Sequence, residues 1–161
     1  MKSEKKEIVV RPISMKDYDR IVEIDAGVLG RRRFNYYRRK MKKILDTEQP
    51  LVTSLVVEVG GKVIGFIMGS VVIGEFGVSE TTATIETIGV DPEFQRQGLA
   101  RAMMGEFFDK IRSAGVERVT TQVRWNDVGL LKFFDKVGFT PAKTLNLDLK
   151  IDRSGLVLEG Q

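Results

Sequence analysis

The sequence predicts an α+β fold: a mixed, mostly antiparallel sheet with a parallel strand pair at its centre and helices on both faces. Three observations carry that expectation. Two β-rich runs, LVTSLVVEV and KVIGFIMGSVVI, flank Gly60-Gly61 and read as an antiparallel hairpin. Residues 81–124 read as strand, helix, strand, so those two strands are expected to run parallel through a right-handed crossover. Segments with a helical apolar stripe lie both before the hairpin and after it, as a sheet covered on two faces requires.

The elements follow in order. EIVVRPI (7–13) is a first strand with Pro12 near its end. Ser14 caps a helix, with Asp17 where an acid suits the positive helix end, and Gly30 stops it after Leu29. A second helix is expected over about 31–46, its stripe made by Phe34, Tyr37, Met41, Ile44 and Leu45, and Pro50 stops the segment. After the hairpin, GEFGVSE is a loop. TTATIETIGV (81–90) is a strand whose alternation sets Thr84, Glu86, Ile88 and Val90 on one face, Ile85 and Thr87 on the other. DPEFQRQG turns into a helix reaching Ala114, with Leu99, Met103, Phe107 and Ile111 in register. RVTTQVRW is a further strand, VGLLKFFDKV a short helix ended by Gly138, and FTPAKTLNLDLKI closes in a strand alternating Leu145, Leu147, Leu149 and Ile151. One domain is expected over 7–151, with 152–161 a loose tail.

Composition narrows the chemistry. The 161 residues suit one domain. No apolar run approaches the roughly 20 residues of a membrane helix, and MKSEKKE leads straight into a strand, so no membrane partner, no signal peptide and a cytoplasmic location are expected. With no His and no Cys there is no imidazole or thiol chemistry, and no metal is expected. Catalysis is left to carboxylates, Tyr, Lys, Arg, hydroxyls, backbone amides or a bound cofactor. The net charge of +4 is uneven: residues 31–43, RRRFNYYRRKMKK, hold eight basic residues and no acid, which leaves −4 for the rest. That points to a local anionic contact or a solvated face rather than a nucleic-acid-coating surface.

The informative stretch is Val90-Asp-Pro-Glu-Phe-Gln95-Arg96-Gln97-Gly98-Leu99-Ala100-Arg101. A strand ends, a turn with one glycine follows, and a helix begins. The first turn of a helix presents unpaired N–H groups and the positive end of its dipole, which suits a diphosphate. Gly98 removes any side chain from the approach, Ala100 stays small, and Arg96 and Arg101 add charge. A plain strand-to-helix connection fits the same spacing. No GxxxxGK[ST] occurs, and Gly98 stands alone, so neither a Walker loop nor a dinucleotide fingerprint is present.

Gln95-x-x-Gly98-x-Ala100, after a strand ending Ile88-Gly89-Val90-Asp-Pro, resembles the acetyl-CoA motif [Q/R]-x-x-G-x-[G/A] of the GNAT N-acetyltransferase superfamily. VVRPISMKDYDRIVEID, LVVEVGGKVIGFIMGSV and DVGLLKFFDKVGF extend the resemblance along nearly the whole chain. It implies direct acetyl transfer from acetyl-CoA to an amine, on a small molecule or a peptide, within a ternary complex. Residues 96–101 would hold the CoA diphosphate. The strand end at Ile88, Gly89 and Val90 would pair with the pantetheine arm, admitted by a splay from the 118–124 strand. A backbone N–H near Val90 would polarise the thioester carbonyl. Gln95, Gln97, Leu99, Asn126 and Phe134 complete the cofactor contacts it implies, and it is compatible with a homodimer.

An alkyl amine has a pKa of about 10.4 and must lose a proton before it attacks. Many family members use a Glu on the fourth strand, which here is Glu86; a Glu paired structurally with Arg or Lys is the plainer reading. Glu75 and Glu80 are weaker candidates. The family's Tyr that protonates the leaving thiolate falls on Phe134, which has no proton to give. A thiol pKa near 8.5 makes thiolate a tolerable leaving group without help. Tyr36, off the apolar stripe, is the better polar candidate on the second helix, and Tyr37 reads as core. Trp125 either walls the amine site or is simply packed. The basic helix favours an acidic acceptor if it lies by the acceptor cleft. Two other readings stand beside the enzyme: a CoA-binding module without efficient transfer, and a nucleic-acid binder built on 31–43. The net acidic remainder and the burial expected of Phe34, Tyr37 and Met41 argue against the second of these.

Overall fold

The computed structural model describes residues 6–46, 53–73 and 80–151. Pro50, residues 74–79 of the expected loop at 74–80, with Glu75, and the tail at 152–161 lie outside the described residues. The chain divides into two units, Met1–Gln122 and Val123–Gln161.

In the first unit, β1 (Ile8–Pro12) leads through a short 3-10 turn into α1 (Tyr18–Leu29) and α2 (Phe34–Leu45). Then come β2 (Ser54–Val59), β3 (Lys62–Ile73), β4 (Thr81–Val90), α3 (Leu99–Ser113) and β5 (Arg118–Thr121). The sheet order is β1-β2-β3-β4-β5. The first three pairings are antiparallel and β4–β5 is parallel, which is the mixed, mostly antiparallel sheet the sequence predicts, although among the described residues the parallel pair lies at one edge rather than at the centre. The hairpin turns at Gly60-Gly61, pairing Val59 with Lys62.

Entry into α1 is fixed by charge. The Ser14 amide donates to Asp17 Oδ2 at 2.8 Å, and Arg11 donates to both Asp17 oxygens at 2.9 and 2.8 Å. Burial pushes the Asp17 carboxyl up, but the hydrogen bonds from Arg11 and Ser14 outweigh it and hold the group below the usual carboxylate range. Glu58 on β2 takes the same guanidinium, with Arg11 Nε at 2.8 Å.

The helices cover both faces. Ile21, Ile24, Tyr37, Met41, Phe66 and Met68 form one buried cluster between α1, α2 and the sheet. On the opposite face a Cβ placed on Gly65 would meet Met103 of α3 at 3.1 Å, and one on Gly69 would meet Phe107 at 3.0 Å. Leu99, Met103, Phe107 and Ile111 are all buried, as their register predicts.

Three expectations here are corrected. Helix α2 starts at Phe34 rather than 31, because Arg33 holds a non-helical conformation (φ −112°, ψ 59°) while its guanidinium reaches back to Asp25 of α1. Phe34 and Leu45, the first and last residues of the helix, are exposed, and the buried stripe narrows to Tyr37 and Met41. Strand β5 is four residues long and ends at Thr121, so its expected continuation to 124 does not form.

In the second unit, α4 (Val128–Lys136) begins at Asp127, whose carboxylate accepts the Leu130 N–H at 3.1 Å. Phe134 is buried between Phe133 and Phe139, with ring centroids 5.3 and 4.9 Å away. The expected closing strand is absent from residues 139–151, where Leu145, Leu147, Leu149 and Ile151 are exposed. Alternation supplies one apolar side, but a strand also needs a neighbour for its backbone groups. No strand lies among the described residues of this unit.

Candidate active site

The site is built around a discontinuity in β4. From Thr81 to Ile85 the strand pairs residue for residue with Ile73 back to Gly69 of β3, and from Thr87 to Val90 with Met68 back to Gly65. Glu86 has no partner, because Met68 faces Thr87 while Gly69 faces Ile85. It is the extra residue of a β-bulge. The bulge reverses the alternation. Paired residues share a face, so Ile85, Ile88 and Val90 all lie on the α3 side, with Gly69, Ile67 and Gly65. Thr87 and Gly89 lie on the side of α1 and α2, opposite Met68 and Phe66. Glu86 points to that same side, where Lys40 of α2 meets it. The expected grouping of Glu86 with Ile88 and Val90 is therefore wrong: an inserted residue moves everything after it to the other face.

On its other edge β4 pairs with β5 only through Thr82–Ile85, opposite Arg118–Thr121. Thr84 and Thr120 hydroxyls lie 3.2 Å apart, and Thr121 Oγ1 donates to the Ile85 carbonyl at 3.0 Å. Beyond Ile85 no strand among the described residues pairs this edge. The bulge and the end of the parallel ladder thus coincide, and Glu86–Val90 is a strand segment hydrogen-bonded into the sheet from one side. Gly89 belongs to it because Phe66 leaves no room, a Cβ there falling 2.9 Å from the ring.

The chain then turns into α3. Asp91 accepts the Glu93 N–H at 3.0 Å and is ion-paired with Arg20 of α1. Burial pushes the Asp91 carboxyl up, but the Glu93 amide and Arg20 outweigh it and hold the group low. Arg20 Nε also donates to the Val63 carbonyl at 2.7 Å, so one guanidinium ties β3, α1 and the turn together. Gln95 Nε2 donates to the Val90 carbonyl at 3.1 Å, closing the turn on the strand end. Arg96 (φ 64°) and Gly98 (φ 77°) both take the left-handed conformation, and a Cβ on Gly98 would meet nothing within 4 Å. The first bond of the α3 ladder runs from the Ala102 N–H to the Gly98 carbonyl at 3.0 Å, so the amides of Leu99 and Ala100 precede it. Leu99 is buried, while Arg96, Gln97, Gly98 and Arg101 are exposed.

Helix α2 supplies the wall over Glu86. Lys40 Nζ lies 2.8 Å from Glu86 Oε2, with the two side chains 19% and 28% exposed, and Ser70 Oγ donates to Glu86 Oε1 at 3.3 Å. Tyr36 is half-buried, with the Arg33 guanidinium 4.4 Å and the Lys40 ammonium 5.3 Å from its ring centroid. Arg33 also pairs with both oxygens of buried Asp25, at 2.8 and 2.7 Å. Tyr37 is fully buried, edge-on to Phe66 at 5.8 Å. Burial, followed by the hydrogen bond and charge of Asp25, pushes its phenol well above the ordinary tyrosine value, although a hydrogen bond with Thr87 and the charge of Arg33 oppose the shift.

Comparison with known proteins accounts for this frame. The acetyltransferase (GNAT) family pattern matches residues 18–139. The chain belongs to that family. A ribosomal protein bS18-alanine N-acetyltransferase of Escherichia coli (strain K12) is 33% identical over 82 residues, 51% of each chain. The chain thus spans about half the length of the curated relatives it matches. Among solved structures, an aminoglycoside N-acetyltransferase, AAC(6')-Iy, in complex with CoA superposes with a TM-score of 0.77 at 14% identity, over 93% of this chain and 99% of that one. Ard1 from Thermoplasma volcanium superposes with a TM-score of 0.68 at 26% identity, over 83% and 82% of the two chains.

The first unit of this GNAT chain brings Glu86, Ile88, Gly89, Val90 and Gln95 through Arg101 onto one strand end and the turn that follows it, with Tyr36 on the helix beside Glu86. Trp125, Asn126 and Phe134 belong to the second unit. Trp125 is 88% exposed, which corrects the packed reading. Glu80 is engaged by Arg118 at 3.1 Å, at the start of β4 rather than at the bulge. Sequence reasoning missed Lys40, Ser70 and Arg20. Lys40 and Glu86 lie 46 positions apart and nothing local links them. Arg20 carried no signal either, although Asp91-Pro92 does read as a cap before a turn.

Proposed function

We propose that the protein transfers an acetyl group from acetyl-CoA to an amine, by direct attack within a ternary complex. The observation that carries this reading is the run from the one-sided strand Glu86–Val90 into the Gly98 turn at the head of α3. The groups present fit CoA. An extended edge offers backbone partners to an amide-bearing arm. The open space at Gly98, the leading amides of α3 and the exposed Arg96 offer a diphosphate its donors. Acetyl-CoA supplies the acyl thioester. In this reading residues 96–101 bind the diphosphate and Ile88–Val90 align the arm. A backbone N–H near Val90 stabilises the oxyanion, and Glu86 takes the proton of the acceptor amine as the new bond forms.

The acceptor is an amine on a small molecule or a peptide. Arg31, Arg32, Arg38, Arg39 and Lys42 are exposed on and before α2, which favours an acidic one. A cytoplasmic location is part of this reading, because the reaction needs a supply of acetyl-CoA. A CoA-binding module without efficient transfer is the second reading, and the Lys40–Glu86 ion pair favours it, because a base held by a lysine is engaged before any acceptor arrives.

Two measurements decide between these. A binding-competent protein gains about 2.7 kcal/mol of stability at an acetyl-CoA excess of 100 Kd, read as a thermal shift. A screen of peptide α-amines, lysine side chains and small amines, with free CoA as the readout, reports transfer. A shift with turnover supports the enzyme, a shift without turnover the module, and no shift overturns both.

A further inference from the structure

Helix α2 places a primary amine on the carboxylate assigned above as the base. Lys40 Nζ is 2.8 Å from Glu86 Oε2 at the β4 bulge, its side chain largely withdrawn from solvent, and it lies over the Tyr36 ring at 5.3 Å. Attack on a thioester aligned along Ile88–Val90 requires an alkyl amine within proton-transfer reach of Glu86, beside that strand segment. Lys40 is within that reach of Glu86 in the chain itself, on the side of the sheet that Thr87 and Gly89 share.

We propose that Lys40 is an acceptor: loaded with acetyl-CoA, the protein acetylates its own Lys40 and thereby releases Glu86 from its ion pair. The inference rests on the acetyltransferase reading. In the step, the Lys40 ammonium first gives one proton through Glu86 to solvent, the freed Nζ lone pair attacks the thioester carbonyl carbon, the C–N bond forms and the C–S bond breaks. The electron pair leaves with sulfur as the CoA thiolate, and the second proton, lost by Nζ after attack, passes to Glu86 and on to solvent. The product is a neutral amide that can no longer form a salt bridge. Modification therefore converts an engaged carboxylate into one open to an external amine.

The surroundings set the pH behaviour. Burial disfavours the Lys40 charge, but the hydrogen bond and charge of Glu86 outweigh it, with a contribution from Tyr36, and its pKa is raised. The groups facing the ammonium are Glu86 from β4 and Tyr36 on α2. Arg33 lies on the Tyr36 ring, and Ser70 of β3 holds the other Glu86 oxygen. The neutral amine is scarce near neutrality, so acetylation should speed up as the pH rises. Lys42 is an internal control: it is exposed and sits about 200° further round the helix.

The test incubates the full chain with acetyl-CoA and no added amine at pH 7 and pH 9, and maps acetylated peptides over time. Lys40 should be modified roughly 10²-fold faster than Lys42, and Glu86→Gln should remove that advantage, since general-base assistance is worth roughly 10²–10⁴-fold. Lys40 modified no faster than Lys42 in the wild-type chain, or equally fast in Glu86→Gln, would overturn the proposal. A parallel arm measures the acetyl-CoA thermal shift and CoA release with added amines. Transfer to added amines with Lys40 untouched defeats the self-acetylation inference alone. Absence of both the thermal shift and all transfer defeats the acetyltransferase reading with it.

Discussion

The two halves of β4 share one strand but not one environment. Thr81–Ile85 is bonded to β3 on one edge, with β5 reaching Thr82–Ile85 on the other, and buries Ala83 and Ile85 against the α3 side. Among the described residues the only strand that pairs Glu86–Val90 is β3, and the segment leads into the Gly98 turn. The bulge at Glu86 separates them, shifting the side-chain register where the parallel ladder stops. One half is paired by strands on both edges, and the other leaves an edge that no strand among the described residues covers. The divided strand explains how a carboxylate, an open peptide edge and a helix start come together within sixteen residues.

The largest expected effect falls on the boundary. Glu86→Gln should lower kcat by roughly 10²–10⁴-fold near neutral pH, with partial recovery at high pH where more acceptor amine is neutral. Steady-state rates across pH measure it, and a wild-type profile would remove Glu86 from the mechanism. In the paired half, Ile85→Ala should cost about 2–5 kcal/mol of stability by denaturant titration, while acetyl-CoA affinity stays near wild type. On the ligand side the pattern inverts. Gly98→Val should leave the apo protein folded yet abolish the acetyl-CoA gain of about 2.7 kcal/mol at 100 Kd, because a β-branched residue strains the left-handed turn and fills its open space. A mutant that shifts as much as wild type would break the comparison.

Smaller effects come from the supports. Asp17 is held below its usual pKa, so its contribution to stability is present above the unfolded value, near 3.9, and is lost as pH falls through the lower folded value. Asp17→Asn should therefore cost about 1.5–3 kcal/mol at pH 7 and flatten the acid limb of the stability curve, as thermal unfolding from pH 7 to 2 will show. The weakest effect is electrostatic. Neutralising exposed Arg38 and Arg39 should raise KM for an acidic acceptor a few-fold at low salt and less at high salt, since the screening length is about 8 Å at physiological ionic strength. Acetyl-CoA affinity should not follow. Arg33 is a poor choice for this test, because its bond to buried Asp25 makes it part of the scaffold.

Much of this was legible in the sequence. β3 and β4 keep the boundaries that their β-rich runs and flanking glycines predict, and the Gln95–Ala100 spacing does mark a strand-to-helix turn. The bulge is hidden because Thr84, Ile85 and Thr87 favour a strand and the run shows no Gly or Pro break around Glu86. The signal was present in the apolar spacing: Ala83 and Ile85 are two apart, Ile85 and Ile88 three, Ile88 and Val90 two. The Lys40–Glu86 pair had no such signal, because it exists only once α2 is laid on the sheet. The apolar alternation at 145–151 misled for the opposite reason: a pattern fixes which residues share a face, but pairing depends on a neighbour that local sequence does not name.

Amide hydrogen exchange with and without acetyl-CoA tests the divided strand most directly. The account predicts added protection at Ile88–Val90 and across the Gly98 turn, with Ala83–Ile85, already bonded on both edges, unchanged. Protection confined to Ala83–Ile85, or none in Glu86–Ala100 at saturating acetyl-CoA, would contradict it.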